Sequence, residues 1–169
     1  VQKLMEYAGL EPARLRLEWV SAAEGRRFAD VIAEFTQTLK DLGPSPLRDR
    51  GAKDIGRKMA AAHAVASSFR VRALLGNEPR ICGQANAYGE RTPQDRIDEV
   101  LSLALKDESA REEILLLLRQ RSAATVPEMV QATGRATADV LRQLTTLIRK
   151  NRVKLASVNG TTPQYAVLD

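Results

Sequence analysis

The chain has 169 residues, 44% hydrophobic but only 4% aromatic, so its cores must be built mainly from aliphatic side chains. One Cys and one His are too few for a cysteine-ligated iron–sulfur cluster or a structural zinc site within this chain. A single Cys cannot form an internal disulfide, and this composition suits a reducing, cytoplasmic setting. The longest apolar run, residues 114–118, is too short for a membrane span, and no signal peptide is recognisable.

The net charge of +5 is unevenly distributed. Residues 1–50 carry eight basic and eight acidic side chains, whereas residues 119–154 carry eight basic and two acidic ones. The basic character therefore belongs to the C-terminal part of the chain.

The first 50 residues predict a helix, a strand and a second helix. The first helix ends at Gly9, and residues 15–20 alternate like a strand. Residues 22–42 have a helical period, with Ser21 and Glu24 forming a capping box, and their predicted inward stripe is Phe28, Val31, Ile32, Phe35, Leu39 and Leu42. A lone strand needs a sheet to pair with. We therefore expect residues 1–50 to be the C-terminal part of a larger α/β domain.

Residues 51–107 predict a helical extension and linker. One long Ala-rich helix runs from Asp54 to Gly76, and residues 77–92 contain enough Gly and Pro to predict a loop. Thr92 and Pro93 then open another helix.

Residues 108–169 predict a winged helix-turn-helix. Ser109, Thr125 and Thr137 are the expected N-caps of three helices, the second of which ends at Gly134. A β-hairpin follows, with strands at residues 153–158 and 164–168. The apolar face of the third helix is predicted to comprise Val140, Leu141, Leu144, Leu147 and Ile148. The fold class is thus α+β and mostly helical.

The stretch LEPARLRLEWVSAAEG at residues 10–25 resembles the iron–sulfur (delta) subunit of methyl-viologen-reducing hydrogenases, a module also found fused to the flavin subunit of heterodisulfide reductases. The segments VRALLG at 71–76 and NAYGE at 86–90 are similar to that family as well. The resemblance implies that an intact member binds a [2Fe–2S] cluster through cysteines upstream of this stretch. It also implies electron relay between a hydrogenase or dehydrogenase and the flavin subunit of heterodisulfide reductase.

No catalytic, cofactor-binding or metal-binding residue is predicted in this chain. Trp19 is expected to anchor a core rather than shield a cofactor. His63 lacks an acidic or nucleophilic partner one turn away, and Cys82 is expected to be a free thiol. Four charged residues could shape a docking surface for a redox partner, although solvated strand-edge and capping roles are the simpler interpretation: Arg14, Arg16, Glu18 and Glu24.

The C-terminal cations are the predicted binding residues for a protein partner or nucleic acid: Arg135, Arg142, Arg149, Lys150, Arg152 and Lys154. The third helix would offer mainly small or neutral side chains to DNA bases, namely Ala136, Ala138, Gln143, Thr145 and Thr146, and the hairpin tip carries no cation. We therefore favour a docking and assembly segment of an electron-transfer subunit, with only weak nucleic-acid binding. The alternative is a winged-helix DNA-binding regulator.

Overall fold

A computed structural model describes residues 1–48, 52–85 and 87–168, without the side chains of residues 52 and 53. The chain divides into two compact units, Val1–Met59 and Ala60–Asp169, with the division inside one helix. The observed fold is mostly helical with a small antiparallel sheet. The three-part division at residues 50 and 107, expected from the sequence, remains a prediction.

The first unit contains helices α1 (Gln2–Ala8) and α2 (Gly25–Leu42), with short 3-10 turns at Pro12–Arg14 and Pro46–Arg48. As predicted, α1 ends at Gly9, whose positive φ of 81° suits glycine. Before α2, the backbone N–H of Ser21 donates to the Glu24 carboxylate at 2.9 Å. The helix begins at Gly25, three residues later than predicted, because residues 21–24 close a turn through a bond from Glu24 N–H to Ser21 C=O.

The predicted strand at residues 15–20 is not formed, because it pairs with no strand in the part of the chain that the structure describes. Leu15 has extended backbone angles, but no backbone–backbone hydrogen bond joins residues 16–20 to another described residue. The prediction that Trp19 anchors a core is wrong, since Trp19 is 84% exposed. The predicted inward stripe of α2 is likewise not buried: Phe28 is 57% and Ile32 47% exposed.

The second unit begins within α3 (Ala52–Ala66), which is followed by α4 (Phe69–Gly83) and α5 (Gln94–Arg121). The single helix predicted over residues 54–76 is two helices, because the Ser68 side chain caps α4 by accepting from Val71 N–H at 3.3 Å. The predicted loop from residue 77 begins later, since α4 continues through Pro79 while packing against α5. Ser109 is not a cap: it is buried in the middle of α5.

Apart from the short strand β1, the elements after α5 follow the predicted order. They are β1 (Ala124–Thr125), α6 (Val126–Thr133), α7 (Thr137–Arg149), β2 (Val153–Asn159) and β3 (Thr162–Val167). Thr125 and Glu128 form a capping box at α6, and Gly134 ends this helix with φ 65°. Helix α7 has Ala136, not Thr137, at its N-cap and lacks a side-chain cap.

The sheet has the strand order β1–β3–β2, with both pairs antiparallel. Ala124 lies opposite Tyr165, and β2 and β3 form the predicted hairpin around Gly160, with an irregularity between Leu155 and Ser157. The strand β1 is absent from the sequence-based prediction, because two residues are too short to show a period.

The core of the second unit lies where α5, α6 and α7 meet the sheet. It contains Ile114, Leu115, Leu117, Leu118, Ala124, Met129, Val140, Leu144, Leu147 and Val153. Two residues of the predicted apolar face of α7, Leu141 and Ile148, lie outside this core and are 45% and 40% exposed. Among the described residues, no helix is long and apolar enough to cross a membrane.

Candidate docking surface

Helix α7 is fixed against α5 by a buried polar network. Arg111 on α5 donates to Gln143 Oε1 at 2.8 Å, and Gln143 Nε2 donates to Asp107 Oδ1 at 2.9 Å. Gln143 is therefore buried, and the prediction that it faces outward is wrong. A buried amide bonded at both ends fixes the orientation of α7, because any rotation would leave polar groups unpaired.

Glu108 extends this network toward α4. Its carboxylate accepts from Arg111 at 2.6 Å and from Arg70 at 3.3 Å. Burial disfavours the charged carboxylate, but the hydrogen bond and charge of Arg111, the bond from Arg70 and the charge of Lys150 outweigh it. The pKa of Glu108 is therefore lowered from its ordinary value of 4.5.

Two of the six predicted binding cations are engaged in ion pairs. Arg135 Nε lies 2.8 Å from the buried carboxylate of Glu113, and its side chain is only 17% exposed. Arg142 contacts Asp107 at 3.3 Å and Asp139 at 3.0 Å, although it remains exposed. The positive charge of both residues is thus partly neutralised within the unit.

The other four cations form an exposed group that we call the basic surface: Arg149, Lys150, Arg152 and Lys154. They follow one another from the last turn of α7 to the start of β2. None of them forms an ion pair with another residue that the structure describes. Asp169 is not among the described residues. The structure thus brings four of the six predicted residues together at one end of α7.

The outward face of α7 beside the basic surface is largely apolar. Leu141, Thr145 and Ile148 are exposed at helical spacing. The Thr145 hydroxyl donates to Leu141 C=O at 2.8 Å, and the Thr146 hydroxyl donates to Arg142 C=O at 3.0 Å. These hydroxyl protons are used within the helix, so this face presents apolar contacts and few hydrogen-bond donors.

In the first unit, Arg14 has a role that the sequence pattern does not reveal. Its guanidinium donates to the carbonyls of Leu42, Gly43 and Pro44 at 3.2, 3.0 and 3.1 Å, while Nε donates to Glu11 at 2.7 Å. This bond from Arg14 lowers the pKa of Glu11 and raises that of Arg14. Arg14 therefore caps the C-terminus of α2 rather than facing a partner.

Arg16 and Glu18 hold residues 15–20 against α2. Arg16 donates to Glu34 at 3.0 Å and to Glu18 at 3.0 Å. Glu24 pairs with the Ser21 backbone N–H and with Arg27, which together lower its pKa. All four charged residues that could shape a docking surface therefore form hydrogen bonds or ion pairs within the first unit.

The two remaining candidate residues are His63 and Cys82. His63 is exposed, and the Cys82 thiol lies 3.3 Å from Gln94 Oε1. Among the described residues, no group of three His, Cys, Asp or Glu side chains could hold a metal ion. These residues do not fit an iron–sulfur cluster, since such a cluster needs several thiolate or imidazole ligands.

Comparison with known proteins gives matches to the N-terminal segment. The family described as methyl-viologen-reducing hydrogenase, delta subunit, matches residues 1–43. The predicted family resemblance is confirmed for this segment. The segments at 71–76 and 86–90, for which this resemblance is also predicted from the sequence, lie outside the match.

Individual relatives match the chain over 44 residues, or 26% of its length. An iron–sulfur subunit of the F420-non-reducing hydrogenase of Archaeoglobus profundus is 50% identical, and the chain spans 32% of that protein. Two heterodisulfide reductase subunits, from Methanosarcina mazei and Methanosarcina acetivorans, are each 46% identical, and the chain spans 6% of each. No solved structure matches.

Proposed function

We propose that the chain is a non-catalytic segment of an electron-transfer subunit and supplies docking and assembly surface. In this proposal the intact subunit links a hydrogenase or another dehydrogenase to the flavin subunit of heterodisulfide reductase in the cytoplasm. The observation that carries the proposal is the match of residues 1–43 to the hydrogenase delta subunit, together with relatives from both types of complex.

The redox chemistry would reside outside the residues of this chain. One relative is named as an iron–sulfur subunit, and the family resemblance implies a [2Fe–2S] cluster held by upstream cysteines. A bound cluster would pass single electrons between partners. The present chain would contribute by orienting the subunit on its partners, so its own residues affect the rate of assembly and not the chemical step.

We further propose that residues 108–169 act as a winged helix. Support comes from the order of elements, in which three helical segments precede a β-hairpin. It also comes from the short strand β1, which precedes α6 and pairs with β3 of the hairpin. In such modules the third helix and the hairpin are the usual contact elements. Here these elements would be α7 and the β2–β3 hairpin, which adjoin the basic surface.

A protein partner suits this surface better than a DNA groove. The exposed Leu141 and Ile148 need an apolar partner surface to become buried. The adjacent basic surface would attract an acidic rim on the same partner and speed association. We therefore assign α7 and the basic surface to docking on an acidic protein partner.

Charge reversal tests this assignment with the flavin subunit of heterodisulfide reductase as the partner. Arg149→Glu combined with Lys150→Glu should slow association at low salt, with a smaller effect at high salt because exposed charges are screened. Arg72→Glu combined with Arg80→Glu, exposed on α4, makes the same change in net charge and should have little effect. Equal slowing by both double variants, or no binding by the unmodified chain, would contradict the proposal.

The alternative is a DNA-binding regulator, and the four exposed cations of the basic surface favour it. Phosphate attraction alone typically gives dissociation constants of about 10⁻⁴–10⁻⁶ M at physiological salt. A titration of duplex DNA at several salt concentrations should therefore show weak binding without sequence preference. Nanomolar, sequence-selective binding would replace the docking proposal by the regulator.

A further inference from the structure

Strand β2 lies at an edge of the three-stranded sheet. It pairs with β3, which separates it from β1. Apart from the bonds to β3, no backbone–backbone hydrogen bond joins residues 153–159 to any residue that the structure describes. Six of its seven residues are exposed, from Lys154 to Asn159. An unpaired edge of this length can accept another strand through backbone hydrogen bonds.

The register shows which backbone groups of β2 point away from β3. The N–H of Leu168 donates to the C=O of Arg152 at 2.9 Å, so the pair of residues just before β2 is hydrogen-bonded. Bonded and non-bonded pairs alternate in an antiparallel ladder, so the N–H and C=O of Leu155, three positions later, point outward. Val158 lies opposite Pro163, which has no N–H to donate, and therefore belongs to a non-bonded pair as well.

The two faces of β2 differ in their chemistry. Leu155 lies opposite Tyr165, which packs against the buried core of the second unit, so both are on the core side of the sheet. Val158 shares this face, since its opposite residue Pro163 is two positions before Tyr165. Leu155 and Val158 are nevertheless each 54% exposed. The apolar layer of the core therefore continues to the edge of the sheet, where an added strand would cover it.

The charges near this edge indicate the occupant. Arg152 and Lys154 are two positions apart and share the face opposite to that of Leu155. Arg149 and Lys150 lie just before them in the basic surface. Strand β2 contains no acidic residue, so the same strand from a second copy would bring further cations and no carboxylate. A segment with carboxylates on one face complements this edge instead.

We infer that β2 accepts an extended acidic segment of the partner protein as a fourth strand of the sheet. Apolar side chains of the segment would alternate with acidic ones. The apolar side chains would cover Leu155 and Val158, and the carboxylates would face Arg152 and Lys154. Backbone hydrogen bonds would supply affinity, and the alternation would supply specificity. This inference rests on the proposed docking role and gives its mode of binding.

The test adds a short peptide in which Val and Glu alternate to the full chain. A peptide of the same composition with all its Val residues before its Glu residues is the control, because it cannot place its carboxylates on one face of a strand. The alternating peptide should bind at least about tenfold more tightly. It should also slow amide exchange at Leu155 and Val158, whereas the amide of Lys154, which points toward β3, should change little.

Two substitutions at one position test the backbone bonds. Leu155→Pro removes an N–H that points outward and should weaken binding of the alternating peptide about tenfold or more. Leu155→Val keeps this N–H and should bind like the unmodified chain. Circular dichroism during heating shows whether each variant is folded. Equal binding by the two folded variants would overturn the inference.

A charge reversal tests the polar face of β2 and does not depend on the proline variant. Lys154→Glu should weaken binding of the alternating peptide about tenfold. Lys106→Glu, at an exposed position of α5, makes the same change in net charge and should have little effect. Equal weakening by both variants would mean that only the overall charge attracts the peptide, which would overturn the inference.

A fusion removes the dependence on affinity. Joining the alternating peptide to the C-terminus through a flexible linker should protect the amides of Leu155 and Val158. Unprotected amides in the fusion would overturn the inference, as would a dimer of the unmodified chain that Leu155→Pro dissociates. If the fusion shows no protection while charge reversal at Arg149 and Lys150 still slows association with the flavin subunit, only the strand inference fails. If the amides are protected but the flavin subunit does not bind, the proposed partner fails and the strand site stands.

Discussion

At the scale of single residues, cations that share one predicted role have different physical roles in the structure. Arg135 and Arg149 are both predicted to bind a partner, yet Arg135 neutralises the buried Glu113 while Arg149 remains exposed. The sequence does not reveal which of them is paired, because the partner of Arg135 is 22 residues away on α5. Long-range ion pairs of this kind cannot be inferred from local spacing.

Replacing Arg135 should therefore affect stability, whereas replacing Arg149 should not. Arg135→Ala leaves the Glu113 carboxylate buried without this cation, and breaking a buried pair typically costs about 3–5 kcal/mol. Arg149→Ala should change the free energy of unfolding by less than about 0.5 kcal/mol, as is usual for exposed positions. Chemical denaturation followed by circular dichroism measures both. Similar effects of the two substitutions would contradict the structural role of Arg135.

Glu108 should make the second unit sensitive to acid. Its pKa is lowered in the folded chain, so its contribution to stability is present above the ordinary value of 4.5 and is lost as pH falls through the folded pKa. Glu108→Gln should cost about 1–3 kcal/mol at neutral pH, since a charged hydrogen-bond acceptor is removed. The difference in unfolding free energy from the unmodified chain should then shrink as the pH is lowered below 4.5.

Denaturant titrations at neutral and acidic pH measure this difference. Glu112→Gln provides the matched control, because Glu112 is on the same helix but is not in the polar network. A difference between Glu108→Gln and the unmodified chain that stays constant with pH would disprove the linkage.

At the scale of elements, the sequence predicts a helix or strand best where caps and burial agree. The Thr125–Glu128 capping box, Gly134 and the hairpin around Gly160 are found where expected. Errors occur where tertiary contacts override local signals. Helix α4 continues through Pro79 against α5, and α5 passes through Ser109 without a break. The predicted strand at residues 15–20 fails for the opposite reason, since its local pattern finds no strand to pair with among the described residues.

The junction between the Pro12–Arg14 turn and α2 should depend on the fork shape of the Arg14 side chain. Arg14→Lys keeps the charge but cannot donate to three carbonyls and to Glu11 at once. We expect faster amide exchange over residues 38–43, including the Gly43 N–H that donates to Lys40 C=O at 3.2 Å. Arg26→Lys, exposed on the same helix, should leave this exchange unchanged. Identical exchange in the two variants would argue against the capping role.

At the scale of the whole molecule, burial differs greatly between the two units. Among the described residues of Val1–Met59, Ala8 is the only hydrophobic residue that is fully buried. The second unit contains the contiguous cluster around Leu115, Met129 and Leu144, all of it between residues 114 and 153 apart from partly buried neighbours. The hydrophobic driving force for folding is therefore concentrated in the C-terminal part.

Separate fragments should fold according to this distribution. Residues 108–169 contain the complete buried cluster and should melt cooperatively, while residues 1–50 should not, because an unpaired extended segment and a helix with an exposed apolar face bury too little apolar area. A fragment of residues 94–169 should melt at a higher temperature than 108–169, since it retains the hydrogen bonds that Arg142 and Gln143 donate to Asp107. Circular dichroism during heating measures all three. A cooperative melt of residues 1–50 would refute this prediction.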